Sequence, residues 1–417
     1  MTTAGRETPI RPPDVPGRPF GEAGRLSMLL LVAAVAVFAL NLRPAIVAVG
    51  PLTDQLRADT GLGAAAVSLL TTLPLLCFGA FSMVAPRLSR RVGLEPALAI
   101  AAVLLIGGCA LRLLPPVATL FLGAGLAGIG IAIGNVLVPV VVKRDFPHHT
   151  GPMMALYSAM LNLGAALAAA LSVPLGRALN TDWRQTLALW GVFAVLALLL
   201  WIPQLLHRAQ HVGAGPDGEG RTGVWRSPLA WAVAIFMGMQ SLVFYSLAAW
   251  LPTLLQDHGM SEAGAGLMVS IVSFCGIGVS LVVPVLAVRA ATQTRFILFC
   301  VGSFALGLIG LLIAPVELAV LWMVALGLGA GTGISLAVTL FVLRSRTTRC
   351  AADLSGMAQA VGYTIAAAGP LLVGTLHGVT GGWNLPLFTL GAFVVVILVA
   401  GRIATEDRYV EDDLQPV

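Results

Sequence analysis

One basic residue stands out among the side chains that could bind a ligand. Arg43 belongs to the sequence Asn41-Leu42-Arg43-Pro44, roughly 15 residues into a long apolar stretch, which is about 23 Å along a helix axis. A cation at that depth in a bilayer costs about 2.5–3.5 kcal/mol, so such residues normally face a cavity or a partner. A guanidinium binds anions and oxygen-rich groups through its planar set of N–H donors. The motif therefore predicts a site for a small anion or an electron-rich oxygen.

The sequence offers Arg43 no carboxylate at the same depth. The acidic residues considered as partners all fall at the ends of apolar stretches or in loops: Asp54, Glu95, Asp145, Asp182, Asp257, Glu262 and Glu317. Arg43 could instead be a structural brace bonded to helix-end carbonyls. We favour a ligand as its partner, because charge within a membrane more often serves function.

Several uncharged polar side chains also fall deep in apolar stretches. Each could hydrogen-bond a small solute, or could tie one helix to another, which is commoner for a lone Asn or Gln. The candidate substrate-binding residues beside Arg43 are Asn41, Asn135, Asn162, Tyr157, Gln240, Tyr245, Gln359 and Tyr363. The five cysteines form no Cys-x-x-Cys pair, so no metal site, cofactor or catalytic residue is predicted.

Membrane helices must position these residues. The chain has 417 residues, of which 58% are hydrophobic and 10% charged, and its mean hydropathy is +0.93. A soluble domain cannot hide that much apolar surface, whereas a spanning helix needs about 20 apolar residues. An all-α membrane protein in a lipid bilayer is predicted, with about twelve transmembrane helices. The predicted spans are 27–51, 64–86, 95–114, 117–142, 153–176, 185–207, 229–255, 262–288, 295–315, 317–343, 355–377 and 384–404.

Basic residues lie mainly in alternate loops, on the side that also holds both termini. The opposite side has only Arg57, Arg112, Arg177 and Arg184. By the positive-inside rule, both termini are predicted to be cytoplasmic. This distribution accounts for the net charge of +5, so no nucleic-acid partner is expected.

Two halves of the sequence resemble each other at an offset of about 200 residues. Matching residues include Cys77 and Cys275, Pro86 and Pro284, Gly128 and Gly327, Gly130 and Gly329, and Trp183 and Trp383. The predicted organisation is a disordered cytoplasmic tail (1–26), an N-terminal six-helix half (27–207), a cytoplasmic linker (208–228), a C-terminal six-helix half (229–404) and a second tail (405–417). Parallel repeats of this kind predict a major facilitator fold, with substrate bound near the bilayer midplane and alternating access between the halves.

Local motifs add a more specific resemblance. The segments that carry it are Asn41-Leu42-Arg43-Pro44, Val49-Gly50-Pro51-Leu52, Ala85-Pro86-Arg87-Leu88-Ser89-Arg90-Arg91-Val92-Gly93-Leu94-Glu95, Gly134-Asn135-Val136-Leu137-Val138-Pro139 and Val142-Lys143-Arg144-Asp145-Phe146-Pro147. Together they resemble the cyanate permease and 2-nitroimidazole transporter family of the major facilitator superfamily. The resemblance implies a bacterial inner-membrane transporter for a small anion or a compact polar heterocycle. Arg43 and Asn135 match motif positions of that family.

Alternative functions stay open at this point. A proton-coupled multidrug exporter would need a large aromatic cavity with a titratable residue, yet all six histidines fall at span ends or in loops. The Gly-Pro motif of many exporters is absent from the fifth span, and the loop after span two has Ser89 near the usual acidic position. An intramembrane enzyme would need clustered catalytic groups at membrane depth, which the sequence lacks. We therefore expect a monomeric transporter of a small molecule rather than an enzyme, with uniport, exchange and coupling through substrate protonation all open.

Overall fold

The structure is a computed structural model that describes residues 22–62, 64–209 and 223–414. Its N-terminal half contains α1 (Glu22–Asn41), α2 (Pro44–Val47), α3 (Thr53–Thr60), α4 (Ala64–Phe81), α5 (Val84–Val92), α6 (Leu94–Leu111), α7 (Val117–Asp145), α8 (Thr150–Ala178), α9 (Trp183–Leu189) and α10 (Val192–Ala209). Its C-terminal half contains α11 (Pro228–Asp257), α12 (Glu262–Arg289), α13 (Thr294–Ile313), α14 (Ala319–Leu343), α15 (Thr348–Thr380) and α16 (Asn384–Ala404).

The helices agree with the spans predicted from hydropathy. Within the described ranges, 11 helical segments are long and apolar enough to cross a membrane, and a bent pair brings the number to 12. The bent pair joins Thr72–Phe81 to Val84–Val92 at an angle of 58°. The predicted span 64–86 is therefore bent near its end, and much of the loop predicted after it is helical in α5. Pro86 explains the bend, because its ring clashes with the carbonyl four residues earlier, at Ser82.

Equivalent helix crossings in the two halves confirm the internal repeat. A Cβ on Gly128 would lie 3.0 Å from that of Cys77, and a Cβ on Gly327 would lie 2.8 Å from that of Cys275. Lipid supplies no hydrophobic drive between helices, so backbones approach closely where residues are small. Both halves therefore use the same close crossing, α4 against α7 and α12 against α14.

A second repeated contact joins helix ends in each half. The indole N–H of Trp183 donates to Asp59 at 3.2 Å, and that of Trp383 donates to Asp257 at 2.9 Å. Each bond ties the helix after the fifth span of its half to the C-terminal end of the first span. The matched tryptophans thus have matched partners, as expected for parallel repeats.

The end of the bundle where α1 begins and α10 ends is called the basic end here. Residues 1–21 of the predicted tail and 210–222 of the predicted linker lie outside the described residues, and α1 already begins at Glu22. The predicted second tail folds back against this end as far as Leu414: the Val410 N–H donates to the Arg344 carbonyl at 2.9 Å. The Leu229 N–H donates to Asp413 at 3.3 Å.

Candidate functional site

A break in the first membrane span positions Arg43. Helix α1 ends at Asn41 and α2 begins at Pro44. Proline has no N–H, so the Leu40 carbonyl loses its helical partner. Gly164 of α8 packs against this carbonyl so closely that a Cβ there would lie 2.0 Å from the oxygen. The break and the glycine together bring α8 against α1 at the level of Arg43.

Arg43 lines a cavity of about 330 Å³ between the two halves. The N-terminal half contributes Arg43, Val47, Asn162, Ala165, Ala166 and Ala169. The C-terminal half contributes Gln240, Ser241, Phe244, Tyr245, Ala248, Val269, Val272, Ser273, Gly276, Ala330, Gly331, Ile334 and Tyr363. The wall is chemically uneven, because its one charged side chain comes from the N-terminal half and most of its apolar surface comes from the C-terminal half.

The groups around Arg43 are phenols. The hydroxyl of Tyr245 is a hydrogen-bond partner of the guanidinium, and the phenols of Tyr363 and Tyr157 lie near it. No ion pair formed by the described side chains includes Arg43. A phenol can accept a hydrogen bond but carries no charge at neutral pH. The cavity therefore contains a cation whose charge is not neutralised by the surrounding side chains described.

Four other predicted residues share the cavity with Arg43: Asn162, Gln240, Tyr245 and Tyr363. The amide of Asn162 also donates to Ser280 at 3.0 Å, a bond that crosses between the halves. Gln240 donates to the neighbouring Ser241 hydroxyl at 2.7 Å. Both amides thus combine contacts to protein with a face toward the cavity.

The remaining predicted residues lie behind the cavity wall. Tyr157 donates to the Asn135 side-chain oxygen at 3.1 Å, and Gln359 donates to the Asn135 backbone carbonyl at 3.0 Å. The Asn135 amide nitrogen is buried and has no hydrogen-bond partner among the described residues. Asn41 is buried at the end of α1 and does not line the cavity. This network lies one helical turn closer to the basic end than Tyr363.

Contacts between the halves close the cavity on its basic-end side. Ser355 donates to the Val136 carbonyl at 3.2 Å, and the Lys143 ammonium donates to the Val342 carbonyl at 2.9 Å. Arg90 and Asp353 form an ion pair of 2.6 Å. The cavity lining extends in the opposite direction, along α8 and α11 away from these contacts. The structure therefore has its central cavity closed toward the basic end.

Some lining residues were missed by the sequence analysis. Ser241, Ser273 and Phe244 carry the polar or aromatic surface among them. Ser241 could have been found because it follows Gln240 in the same span, and Phe244 because it lies one turn further along. Nothing in the sequence marks Ser273 as a cavity residue, since a lone serine in an apolar span more often bonds its own helix. Ser273 makes such a bond, donating to the Val269 carbonyl at 3.2 Å.

Comparison with known proteins decides the family. The profile of the Major Facilitator Superfamily matches residues 26–370. The 2-nitroimidazole transporter of Escherichia coli (strain K12) is 38% identical over 91% of this chain and 96% of its own length. The cyanate transport protein CynX of the same organism is 30% identical over 85% of this chain and 91% of its own length. The chain belongs to the cyanate permease and 2-nitroimidazole transporter family of the major facilitator superfamily.

Two further similarities agree with this membership. The uncharacterized transporter YycB of Bacillus subtilis (strain 168) is 42% identical over 93% of this chain and 96% of its own length. The solved structure of the proton:xylose symporter XylE superimposes with a TM-score of 0.75 at 14% identity, covering 94% of this chain and 99% of that one. The likeness to XylE bears on the fold alone. The chain is therefore a multi-pass membrane transporter that binds a small molecule, as predicted.

Proposed function

We propose that this transporter carries a small solute with an anionic or oxygen-rich group across the bacterial inner membrane, bound against Arg43 between the two halves. The observation that carries the proposal is the unneutralised guanidinium in the central cavity. A guanidinium can form two parallel hydrogen bonds to a carboxylate or nitro group. Such a ligand would supply the charge or the oxygen atoms that the phenols around Arg43 provide only in part.

The cavity favours a ring-sized substrate over a linear triatomic anion. Its volume of about 330 Å³ lies at the lower end of the range typical of small-molecule sites. Phe244, Val269 and Ile334 offer apolar surface in the same cavity. A flat ring bearing one anionic or nitro group could bind Arg43 through that group and pack its ring against the apolar surface. The E. coli relatives named for 2-nitroimidazole and cyanate transport are consistent with either head group.

Transport would proceed by alternating access of the cavity to the two sides of the membrane. The basic end is proposed to be cytoplasmic, because Lys and Arg concentrate there. Opening that end would break the bonds of Ser355, Lys143 and Arg90 between the halves, while the opposite end would close over the cavity. The modest cavity, and the lack of a carboxylate paired with Arg43 in the part of the chain that the structure describes, favour a small solute over the multidrug-exporter alternative.

Substitution of Arg43 tests the proposal. Hydrogen bonds to a charged group contribute about 1.5–3 kcal/mol, so Arg43→Gln should weaken ligand affinity by at least tenfold. Thermal shifts of the purified full chain would be measured with cyanate, benzoate and 2-nitroimidazole, since a bound ligand stabilises the folded state. The ligand affinity of Arg43→Lys, which keeps the charge but not the planar donor set, should lie between that of the unmodified chain and that of Arg43→Gln.

Arg57→Gln is the matched control, because Arg57 is exposed on α3, away from the cavity. It should bind the probes as the unmodified chain does. Unchanged binding of all probes by Arg43→Gln would refute the proposed role of the cation.

A further inference from the structure

The break that positions Arg43 leaves a second backbone carbonyl without a helical partner. In a regular helix the Val49 N–H would bond to the Ala45 carbonyl, but here it donates to Ile46 at 3.4 Å. The free Ala45 carbonyl instead accepts a hydrogen bond of 2.6 Å from Nη1 of Arg112. Buried carbonyls rarely stay unpaired, so this guanidinium completes the bonding of the interrupted segment.

Arg112 comes from the segment between α6 and α7. The sequence predicts Arg112 near the end of the span 95–114, on the side opposite the basic loops. It follows α6, and its side chain is buried, with 1% exposed. Gly123 of α7 makes room for it: a Cβ there would lie 2.9 Å from Cγ of Arg112. Arg184 donates to the Arg112 carbonyl at 3.4 Å and to the Leu114 carbonyl at 2.8 Å. Both the backbone and the side chain of Arg112 are thereby fixed.

Packing alone does not account for a cation at this place. Nε and Nη2 of Arg112 are buried and unpartnered within the described part of the chain, and no ion pair of the described residues includes Arg112. Burying a guanidinium with unpartnered nitrogens is costly, so packing alone would favour an apolar side chain of similar volume. The one described side-chain hydrogen bond that Arg112 makes is to the carbonyl two residues after Arg43.

We propose that Arg112 is a positioning residue that fixes α2 through the Ala45 carbonyl and thereby directs Arg43 into the cavity. The effect on transport rests on the proposed function, whereas the effect on geometry does not. Loss of the Arg112 bond would let the short α2 segment rotate, or extend by forming the helical bond from the Val49 N–H to the Ala45 carbonyl. Either movement would change how position 43 meets the cavity.

Thiol reactivity at position 43 tests the geometry without a ligand. Arg43→Cys would be combined with Arg112→Met, Arg112→Lys or Arg57→Met in the full chain, and alkylation by N-ethylmaleimide followed at that position by peptide mass spectrometry. We expect Arg112→Met to change the alkylation rate at least fivefold. Arg112→Lys, which keeps one donor for Ala45, and the control Arg57→Met should stay within twofold. An unchanged rate with Arg112→Met would overturn the proposal.

Paired probes then separate positioning from general loss of structure. With Arg43 intact, Arg112→Met should weaken binding of benzoate at least tenfold and that of the neutral benzamide less than twofold. Equal weakening of both probes would indicate a merely structural role and refute positioning. Failure of benzoate to bind the unmodified chain, or full binding by Arg43→Gln, would count against the proposed function and leave the thiol result to decide the role of Arg112.

Discussion

At the scale of single residues, the sequence predicts the depth of Arg43, and the structure adds the side chains that surround it. Its depth in the first span and the lack of deep carboxylates follow from residue order alone. The phenols around it come from α8, α11 and α15, and residue order gives no distance between helices. Asn135 shows the same limit: a motif position that suggests ligand binding turns out to bond Tyr157 and Gln359 behind the cavity wall.

Tyr363 offers a test of the phenols. Tyr363→Phe removes the hydroxyl near Arg43 but keeps the ring, which packs edge-on against Phe78 at 4.8 Å. A hydrogen bond from this hydroxyl to the bound solute would contribute about 0.5–1.5 kcal/mol. Affinity for whichever of cyanate, benzoate and 2-nitroimidazole binds most tightly should therefore fall roughly two- to tenfold, with little change in thermal stability. Titration calorimetry of the purified chain would measure it. Tyr409→Phe at the basic end is the control, and an equal loss of affinity there would contradict a local role for Tyr363.

At the scale of elements, proline and glycine together produce the interrupted first span. Pro44 is visible in the sequence, and the break lies beside it, because α1 ends at Asn41 and α2 begins at Pro44. Gly164 is not identifiable in the same way, because its role depends on which backbone atom of α1 faces it. The bend between α4 and α5 was likewise not predicted, although Pro86 was visible, since a proline kink can be small or large depending on the helix packed beside it.

Gly164→Ala should disrupt the contact between α8 and α1. A Cβ would lie 2.0 Å from the Leu40 carbonyl oxygen, so the helices must separate, and overpacking of this kind costs about 1–3 kcal/mol. We expect a lower unfolding temperature and weaker probe binding, measured by differential scanning fluorimetry. Gly302→Ala is the matched control, because nothing lies within 4 Å of a Cβ there. Equal unfolding temperatures of the two variants would contradict the close packing.

Closure at the basic end depends on bonds between α7 and α15. Gln359→Leu removes the hydrogen bond to the Asn135 carbonyl and should shift the population toward a state open at that end. Spin labels at positions 91 and 289, one in each half, would report this as a larger fraction of long distances. Thr375→Val on the same helix is the control, since Thr375 bonds only its own helix at Leu371. An unchanged distance distribution in Gln359→Leu would show that this bond does not hold the end closed.

At the scale of the whole molecule, the repeated residues made the architecture predictable. Offsets such as that between Cys77 and Cys275 are fixed by helix crossings that recur in both halves, so they survive in the sequence. The shape of the cavity does not recur in this way. It depends on the relative tilt of the halves, which is set by many weak contacts, and residue order carries little trace of it.

The repeat also shows what the two halves do not share. Ser241 corresponds to Arg43 at the offset that relates Cys77 to Cys275, so one half has a cation where the other has a hydroxyl. A solute bound to Arg43 would stay with the N-terminal half during the transition, while the apolar wall of the C-terminal half moves relative to it. A molecule with the same anionic or nitro group and a longer apolar tail would contact that wall and hinder its movement. The uneven distribution of charge and apolar surface thus suggests how to design inhibitors that bind in the cavity but are not transported.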